Sequence, residues 1–284
     1  MISSTRYRAL AEINRQTDLS KQIAQLQQSV STGKRIDKPS DDPDASQRIS
    51  EIRQLQADQV IWTNNVNMGA SISSAVDTSL TSISQMLDRA KELVLSGRND
   101  TTSSTDRTAI TQELQSIIDG LDSASQANDP TGAPLYPTGT PLRIPVSDTL
   151  ALPATAQRDE VFGNVTTADG VQSLSQILTD AIAAINGDSA TRATDIQTSL
   201  NALDAATAHV TQVHADQGVR GQRFDAASDD LANSGEDLAE ERNGLEGTDL
   251  TYALSEFQSK QTALQAAQTL FAQTNKSTLF DLMG

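Results

Sequence analysis

The chain of 284 residues contains no cysteine, which excludes a disulfide framework, a thiolate zinc site and a cysteine nucleophile. Long apolar runs are also missing. The longest, Ala181–Ile185, falls far short of the roughly 20 residues that a membrane-spanning helix needs, so no membrane span is expected. Arg6, Arg8, Glu12 and Arg15 stand where a secretory signal would carry its apolar stretch, so export with cleavage of a signal peptide is not expected. Aromatic residues amount to 3%, with Trp62 alone of its kind, whereas a compact globule of this length buries more large side chains. Positive charge is scarce as well. Lys and Arg number 21 against 37 Asp and Glu, a net charge of −16, which argues against nucleic acid and acidic lipid surfaces as partners.

Alanine, serine, threonine, glutamine and aspartate dominate instead. That composition suits long thin helices packed along narrow seams, with part of the burial supplied by other chains. The apolar pattern agrees. Leu19, Ile23, Leu26 and Val30 are spaced 4, 3, 4, and Val76, Leu80, Ile83, Leu87, Ala90 and Val94 are spaced 4, 3, 4, 3, 4. A longer ladder runs from Val210 through Val213, Gln217, Arg220, Phe224, Ala227, Leu231, Ser234, Leu238 and Glu241 to Leu245. A fourth joins Leu250, Leu254, Phe257, Gln261, Leu264, Gln268 and Phe271. Alternating threes and fours keep one stripe of a helix facing a partner, and the polar members make these imperfect seams.

Boundary residues divide the chain. Gly33 suits the left-handed position after a first helix. Asp42 is a good N-cap for a second, with Pro43 in its first turn. That helix is expected to reach about Leu95, with an interruption near Gly69 and Gly97 closing it. The loop Asn99–Ser103 leads to a helix from Ser104 or Thr105 to about Ala127. Six of the eight prolines fall between Pro130 and Pro153, and residues 130–169 lack a helical period. They are expected to form loops with short strands near Leu142–Val146 and Glu160–Val165, separable from the helical core. Further helices are expected over Val171–Ile185, from about Ser189 to Glu241 and, after a break flanked by Gly244 and Gly247, from Thr248 to Leu279.

The fold class is therefore mainly α: a long antiparallel helical bundle with paired N- and C-terminal helices and a small irregular or β insert. Three parts are expected: residues 1–38 with 250–284 as terminal assembly helices, 39–129 with 170–249 as the bundle, and 130–169 as a variable outer insert. The terminal helices carry little net charge beside the strongly acidic stretch 216–249, and a good apolar stripe with little charge is a candidate for burial in an assembly. The candidate interface is Leu19, Ile23, Leu26 and Val30 with Leu250, Leu254, Phe257, Leu264, Phe271 and Phe280. Trp62 and Tyr7 are each either core or an anchor against another subunit.

Chemistry-bearing constellations are weak. Asp41, Asp42 and Asp44 lack the alternation and the glycine of a calcium loop, so capping is preferred to a metal. His209 and His214 are five apart and do not share a helical face as a zinc pair would. No serine sits in a nucleophile elbow and no Gly-rich phosphate loop follows a strand. Asp229-Asp230 and Glu240-Glu241 read as a solvated acidic face. Asn99-Asp100-Thr101 and Asn164-Val165-Thr166 match a glycosylation pattern too short to carry weight. No cofactor, metal or catalytic activity is expected.

Two terminal blocks carry a resemblance. Ser31-Thr32-Gly33-Lys34-Arg35-Ile36 followed by Pro39-Ser40-Asp41-Asp42-Pro43, with Arg48 downstream, resembles the N-terminal signature of the flagellin superfamily. Gln217-Gly218-Val219-Arg220-Gly221-Gln222-Arg223 is similar to the segment that opens that family's long C-terminal helix. Asp249 and Leu250 after Leu245-Glu246-Gly247-Thr248, and Gln261-Thr262-Ala263-Leu264, resemble its C-terminal signature. Thr278-Leu279-Phe280-Asp281-Leu282 looks like the ending of the hook–filament junction branch. Asp44-Ala45 departs from the family, which often carries a glycine there. The resemblance spans about residues 1–95 and 210–284.

It implies terminal helices lining an axial channel, a bundle outside them and a variable outer domain. It also implies export in an unfolded state, with a cytoplasmic export chaperone and the flagellar export apparatus as partners and no cleaved signal. The implied role is a structural adaptor in the extracellular bacterial flagellum, packed beside copies of itself in a ring layer, between a hook-side junction protein and flagellin. The alternatives are flagellin itself and a flagellin-like surface protein whose insert binds a polysaccharide or host ligand.

Overall fold

A computed structural model describes residues 2–98 and 103–280. In chain order the elements are α1 (Ile2–Thr32), α2 (Pro43–Gly97), α3 (Ser104–Ser125), β1 (Arg143–Pro145), β2 (Ala151–Pro153), α4 (Arg158–Phe162), β3 (Val165–Thr167), β4 (Gly170–Gln172), α5 (Leu174–Asn186), α6 (Arg192–Glu246) and α7 (Leu250–Phe280). The fold is mainly α, as the periodicity implies. Contacts gather residues of 1–57 and 234–284 into one unit and those of 58–233 into another, so α2 and α6 each contribute to both. The motif Asn99-Asp100-Thr101 and most of the loop before α3 lie outside the described residues.

In the second unit the ladder Val76, Leu80, Ile83, Leu87, Ala90 and Val94 is fully buried. Facing ladders come from α3 (Leu114, Ile117, Ile118, Leu121), α5 (Leu174, Ile177, Leu178, Ala181) and α6 (Ile196 through Val210 to Phe224). α3 starts at a capping box: Ser103 Oγ accepts from the Asp106 amide at 3.1 Å while the Asp106 carboxylate accepts from the Ser103 amide, which satisfies two amides that a helix start leaves bare.

No break occurs at Gly69. α2 runs through it because the glycine serves packing rather than turning: a Cβ there would stand 2.2 Å from Phe224 Cε1, and the Phe224 ring is fully buried. Gly69→Ala is therefore expected to cost about 1–3 kcal/mol by overpacking, and Phe224→Ala about 3–5 kcal/mol by leaving a cavity. Denaturant titration of the monomer checks both. Gly69→Ala with Phe224→Leu should regain part of the loss, since the smaller side chain makes room for the methyl.

The insert differs most from expectation. The strand at 142–146 is present as β1, paired antiparallel with β2 so that Ile144 faces Leu152. The strand expected over Glu160–Val165 is replaced by α4, and only Val165 enters one, pairing in β3 with β4. Val161 of α4 and Val165 of β3 are both buried, and a spacing of four fits one face of a helix and of a strand alike. Asn164, at φ 57°, turns the chain out of the helix. β4 also takes the place of the predicted start of α5, which Ser173 caps at 3.2 Å from the Gln176 amide. α6 continues past Gly244 to Glu246, so the break runs from Gly247 to Asp249.

The insert shares the buried core of the helices. Leu135, Tyr136, Ile144, Val146, Leu152, Ala154, Ala156, Val161 and Val165 belong to the same buried cluster as α2, α3, α5 and α6. Tyr136 meets Phe162 edge to face at 5.2 Å between ring centroids, and burial pushes its hydroxyl up to about 12. Gln217, 1% exposed, donates to Ser73 Oγ at 2.8 Å and to the Ala154 carbonyl at 2.9 Å. It thus ties α6 to α2 and to the insert with one amide. Prolines and glycines exclude these residues from helical seams but not from burial by short hairpins.

Candidate functional site

The two signature blocks meet in the first unit. Gly33 adopts φ +69°, the left-handed cap after α1. The next residues run antiparallel to the α6–α7 break. The Arg35 amide donates to the Glu246 carbonyl at 2.7 Å and the Thr248 amide to the Gly33 carbonyl at 3.0 Å. The Arg35 guanidinium donates to Asp42 at 3.2 Å and to the Leu245 carbonyl at 3.3 Å. Asp41 accepts from the amides of Asp37 and Lys38 at 3.2 and 2.9 Å. Asp42 accepts from the Ala45 amide at 3.1 Å, capping α2 with Pro43 in its first turn. Asp249 caps α7 through the amides of Thr251 and Tyr252. Gln261 and, within the N-terminal motif, Pro39 and Ser40 stay exposed.

Ion pairs reinforce this joint. Glu246, 8% exposed, lies 3.2 Å from Lys34 Nζ and 2.7 Å from Arg53 Nη2. Arg48 grips Glu241 with two nitrogens at 2.6 and 2.9 Å and holds Glu51 at 3.2 Å. The apolar part is small: Ile36, Ala45 and Ile49 with Leu245 against them, and the fully buried Ile52 of α2. The Ala45 amide and then Arg35 hold the Asp42 carboxyl below the usual carboxylate range, and Arg48 does the same for Glu241. Partial burial pushes Glu246 up, but Lys34 and Arg53 outweigh it and the net direction is down.

Beyond the joint, α1 and α7 pack together, antiparallel because the end of α1 lies beside the start of α7; Lys260 donates to Gln22 at 2.7 Å across the pair. Leu19, Ile23, Leu26 and Val30 are half-buried on the inward stripe of α1. Phe257, Leu264 and Phe271 are half-buried on α7, joined there by buried Ala253 and by Lys260 and Ala267. Leu250 and Leu254 are exposed on the flank of α7. Phe280 ends α7, and its side chain lies outside the described ones, as do Asp281 and Leu282 of the C-terminal motif. The candidate interface residues thus divide into an internal seam and an outward flank.

Tyr7, one of the two aromatic anchor candidates, lies on an exposed face of α1 with two residues that the sequence pattern did not single out, Leu10 and Ile13. Tyr7, Leu10 and Ile13 are 78%, 60% and 47% exposed. Carrying the Leu19–Val30 ladder back by fours and threes gives 16, 12 and 9 as inward positions, so residues 7, 10 and 13 fall off the seam, and that offset was the available signal. Tyr252 and Leu270 are likewise exposed on α7. In the second unit Trp62 is half-buried, beside exposed Val60 and Ile61.

Other candidates have local partners. His209 Nε2 meets the Glu160 carbonyl at 2.9 Å and His214 Nε2 meets Asp77 at 2.7 Å, so the two rings face different groups. Asn164 donates to the Asp159 carbonyl. Among the described residues no three His, Asp or Glu side chains gather to hold a metal, and no helix is long and apolar enough to cross a membrane.

Comparison with known proteins gives two family matches. The family model described as the bacterial flagellin N-terminal helical region matches residues 4–134, and the one described as the bacterial flagellin C-terminal helical region matches residues 200–283. Flagellar hook-associated protein 3 of Escherichia coli is 25% identical over 292 aligned positions, spanning 90% of this chain and 91% of that protein. Flagellin of Bacillus subtilis is also 25% identical, over 94% of both chains. The crystal structure of flagellar hook-associated protein 3 from Legionella pneumophila shares the fold at a TM-score of 0.61 and 14% identity, covering 69% of this chain and 98% of that one.

Proposed function

Because this chain belongs to the flagellin family, matched by that family's N-terminal region at its start and C-terminal region at its end, we propose that it is a structural adaptor of the bacterial flagellum at the hook–filament junction. The observation that carries the reading is the match to hook-associated protein 3 along nine-tenths of both chains. The architecture supports it. Two terminal helices pair with each other and still present apolar side chains outward, and what the residues build is adhesive surface and bracing.

In this reading residues 1–38 and 250–284 are the assembly element. Leu250, Leu254, Tyr7, Leu10 and Ile13 meet neighbouring subunits, while Leu19, Ile23, Leu26, Val30, Phe257, Leu264 and Phe271 hold the pair together. The partners are further copies in a ring layer, a hook-side junction protein on one side and flagellin on the other. An export chaperone and the flagellar export apparatus deliver the chain to the cell exterior without cleavage. Residues 130–169 face outward as the variable part.

The second reading, a filament subunit, is favoured by the equally long match to flagellin. Immunogold labelling of isolated flagella separates the two. Label confined to the hook–filament boundary is the expected result, because a junction needs one short layer. Label along the whole shaft would establish the filament subunit and sink the adaptor.

A further inference from the structure

The first unit is held differently from the second. Residues 58–233 enclose one large apolar cluster drawn from four long helices and the insert. In the first unit the joint between the α1–α2 connection, the start of α2 and the end of α6 buries a smaller apolar set: Ile36, Ala45 and Ile49 with Leu245 against them, and Ile52 one turn further along α2. Besides the two backbone hydrogen bonds that join Gly33 and Arg35 to Thr248 and Glu246, what spans its segments is charge: Asp42 to Arg35, Glu241 to Arg48, and Glu246 to both Lys34 and Arg53. We propose that Asp42, Glu241 and Glu246 form an acid-released clasp, whose protonation opens the joint while residues 58–233 remain folded.

Every charged group facing the three carboxylates pulls the same way, with one competitor. Glu246 meets Lys34 from the chain after α1 and Arg53 from α2. Glu241 meets Arg48 of α2, which also holds Glu51. Asp42 meets Arg35 and the Ala45 amide. Arg242, next to Glu241 in sequence, is taken by Gln56 at 2.8 Å. Protonating a carboxylate deletes its ion pair and leaves the cation behind. Lys34, Arg35, Arg48 and Arg53 then crowd one joint with nothing to balance them.

The sign follows from linkage. Carboxylates held below their unfolded range contribute stability that is complete above the unfolded pKa, about 4, and is lost as pH falls through the lowered folded values. Both histidines lie at 209 and 214, in the other unit, so no imidazole moves this transition toward neutrality. Net charge at low pH adds to the effect. Twelve of the 21 Lys and Arg fall in the 108 residues of the first unit and nine in the 176 of the second, so self-repulsion is denser where the apolar core is smaller. In an assembled layer, which rests on the proposed function, acid would loosen subunits at their terminal elements and leave their bundles intact.

Amide hydrogen exchange of the full-length monomer, corrected for the intrinsic pH dependence of exchange and followed from about pH 7 to about pH 2.5, tests the clasp without assuming any role in assembly. Amides of residues 45–57 and 238–246, together with the Arg35 and Thr248 amides, are expected to lose protection first. Amides of 72–94, 114–121 and 196–213 should keep theirs. The triple variant Asp42→Asn, Glu241→Gln, Glu246→Gln should show the open pattern in the first set already at neutral pH, with the second set as in the parent chain. Loss of protection in both sets at one common pH would overturn the proposal. So would a triple variant that keeps the parent's protection at neutral pH or its acid transition.

Discussion

A chain lacking residues 132–165 is expected to lose cooperative folding of residues 58–233. The deletion removes Leu135, Tyr136, Ile144, Val146, Leu152, Val161 and Val165, all buried. Each large apolar side chain contributes about 1.5–3 kcal/mol relative to exposure, against a net stability of about 5–15 kcal/mol for a typical domain. Removing the segment also removes its ordering cost of about 1–2 kcal/mol per residue. The decisive loss is therefore on what stays behind. Val213 and Gln217 of α6 lie against the insert, and Gln217 would face its Ser73 partner with a second N–H unpaired in an apolar setting. The deletion chain should keep helical content by circular dichroism but melt broadly and at a much lower temperature. A sharp melt near that of the parent chain would show that the helices close without the insert.

The second large effect concerns Tyr7, Leu10 and Ile13 on α1. Replacing all three with serine is expected to abolish motility while leaving the melting of the free monomer nearly unchanged. Exposed side chains contribute little to monomer stability, whereas apolar and aromatic anchors repeated in every subunit of a layer dominate association. Leu264 and Phe271 are a poorer choice for this test, because they face α1 and their loss would separate the terminal pair itself. The expected phenotype is a completed hook with flagellin released into the medium. The variant must first be found outside the cell, since an export block would look the same in a swimming assay. A secreted, folded, fully motile variant would remove this face of α1 from the assembly surface. Short or brittle filaments would favour the filament-subunit reading.

The long helices were legible because apolar residues at alternating threes and fours have few other uses, and Asp42-Pro43 and Gly33 mark real boundaries with real hydrogen bonds. The register of α7 was not. Phe257, Leu264 and Phe271 fit two ladders, one through Leu250, Leu254, Gln261 and Gln268, the other through Ala253, Lys260 and Ala267. In a helix this rich in alanine and glutamine hydropathy does not choose between them. The partner helix does, by placing Ala253 and Ala267 in its own path where small side chains permit close approach. The insert was opaque for a related reason. Three-residue strands carry too little alternation to read, and their burial depends on helices distant in sequence. Gly69 misled because a glycine inside a helical pattern signals either a break or a close neighbour, and only Phe224, 155 positions along the chain, decides which.

The joint also has a temporal side. Arg48 finds Glu241 across 193 residues and Lys260 finds Gln22 across 238, among the longest closures this chain makes. Residues 58–233, by contrast, are continuous and can collapse without either terminus. Loop closure over such spans is entropically costly until the intervening chain has folded and drawn its ends together. The first 57 residues therefore wait for the last 51. On a ribosome or at the mouth of a narrow conduit, the segment made first is completed last, and a chain truncated after Asn233 leaves α1 without the helix it was built to meet.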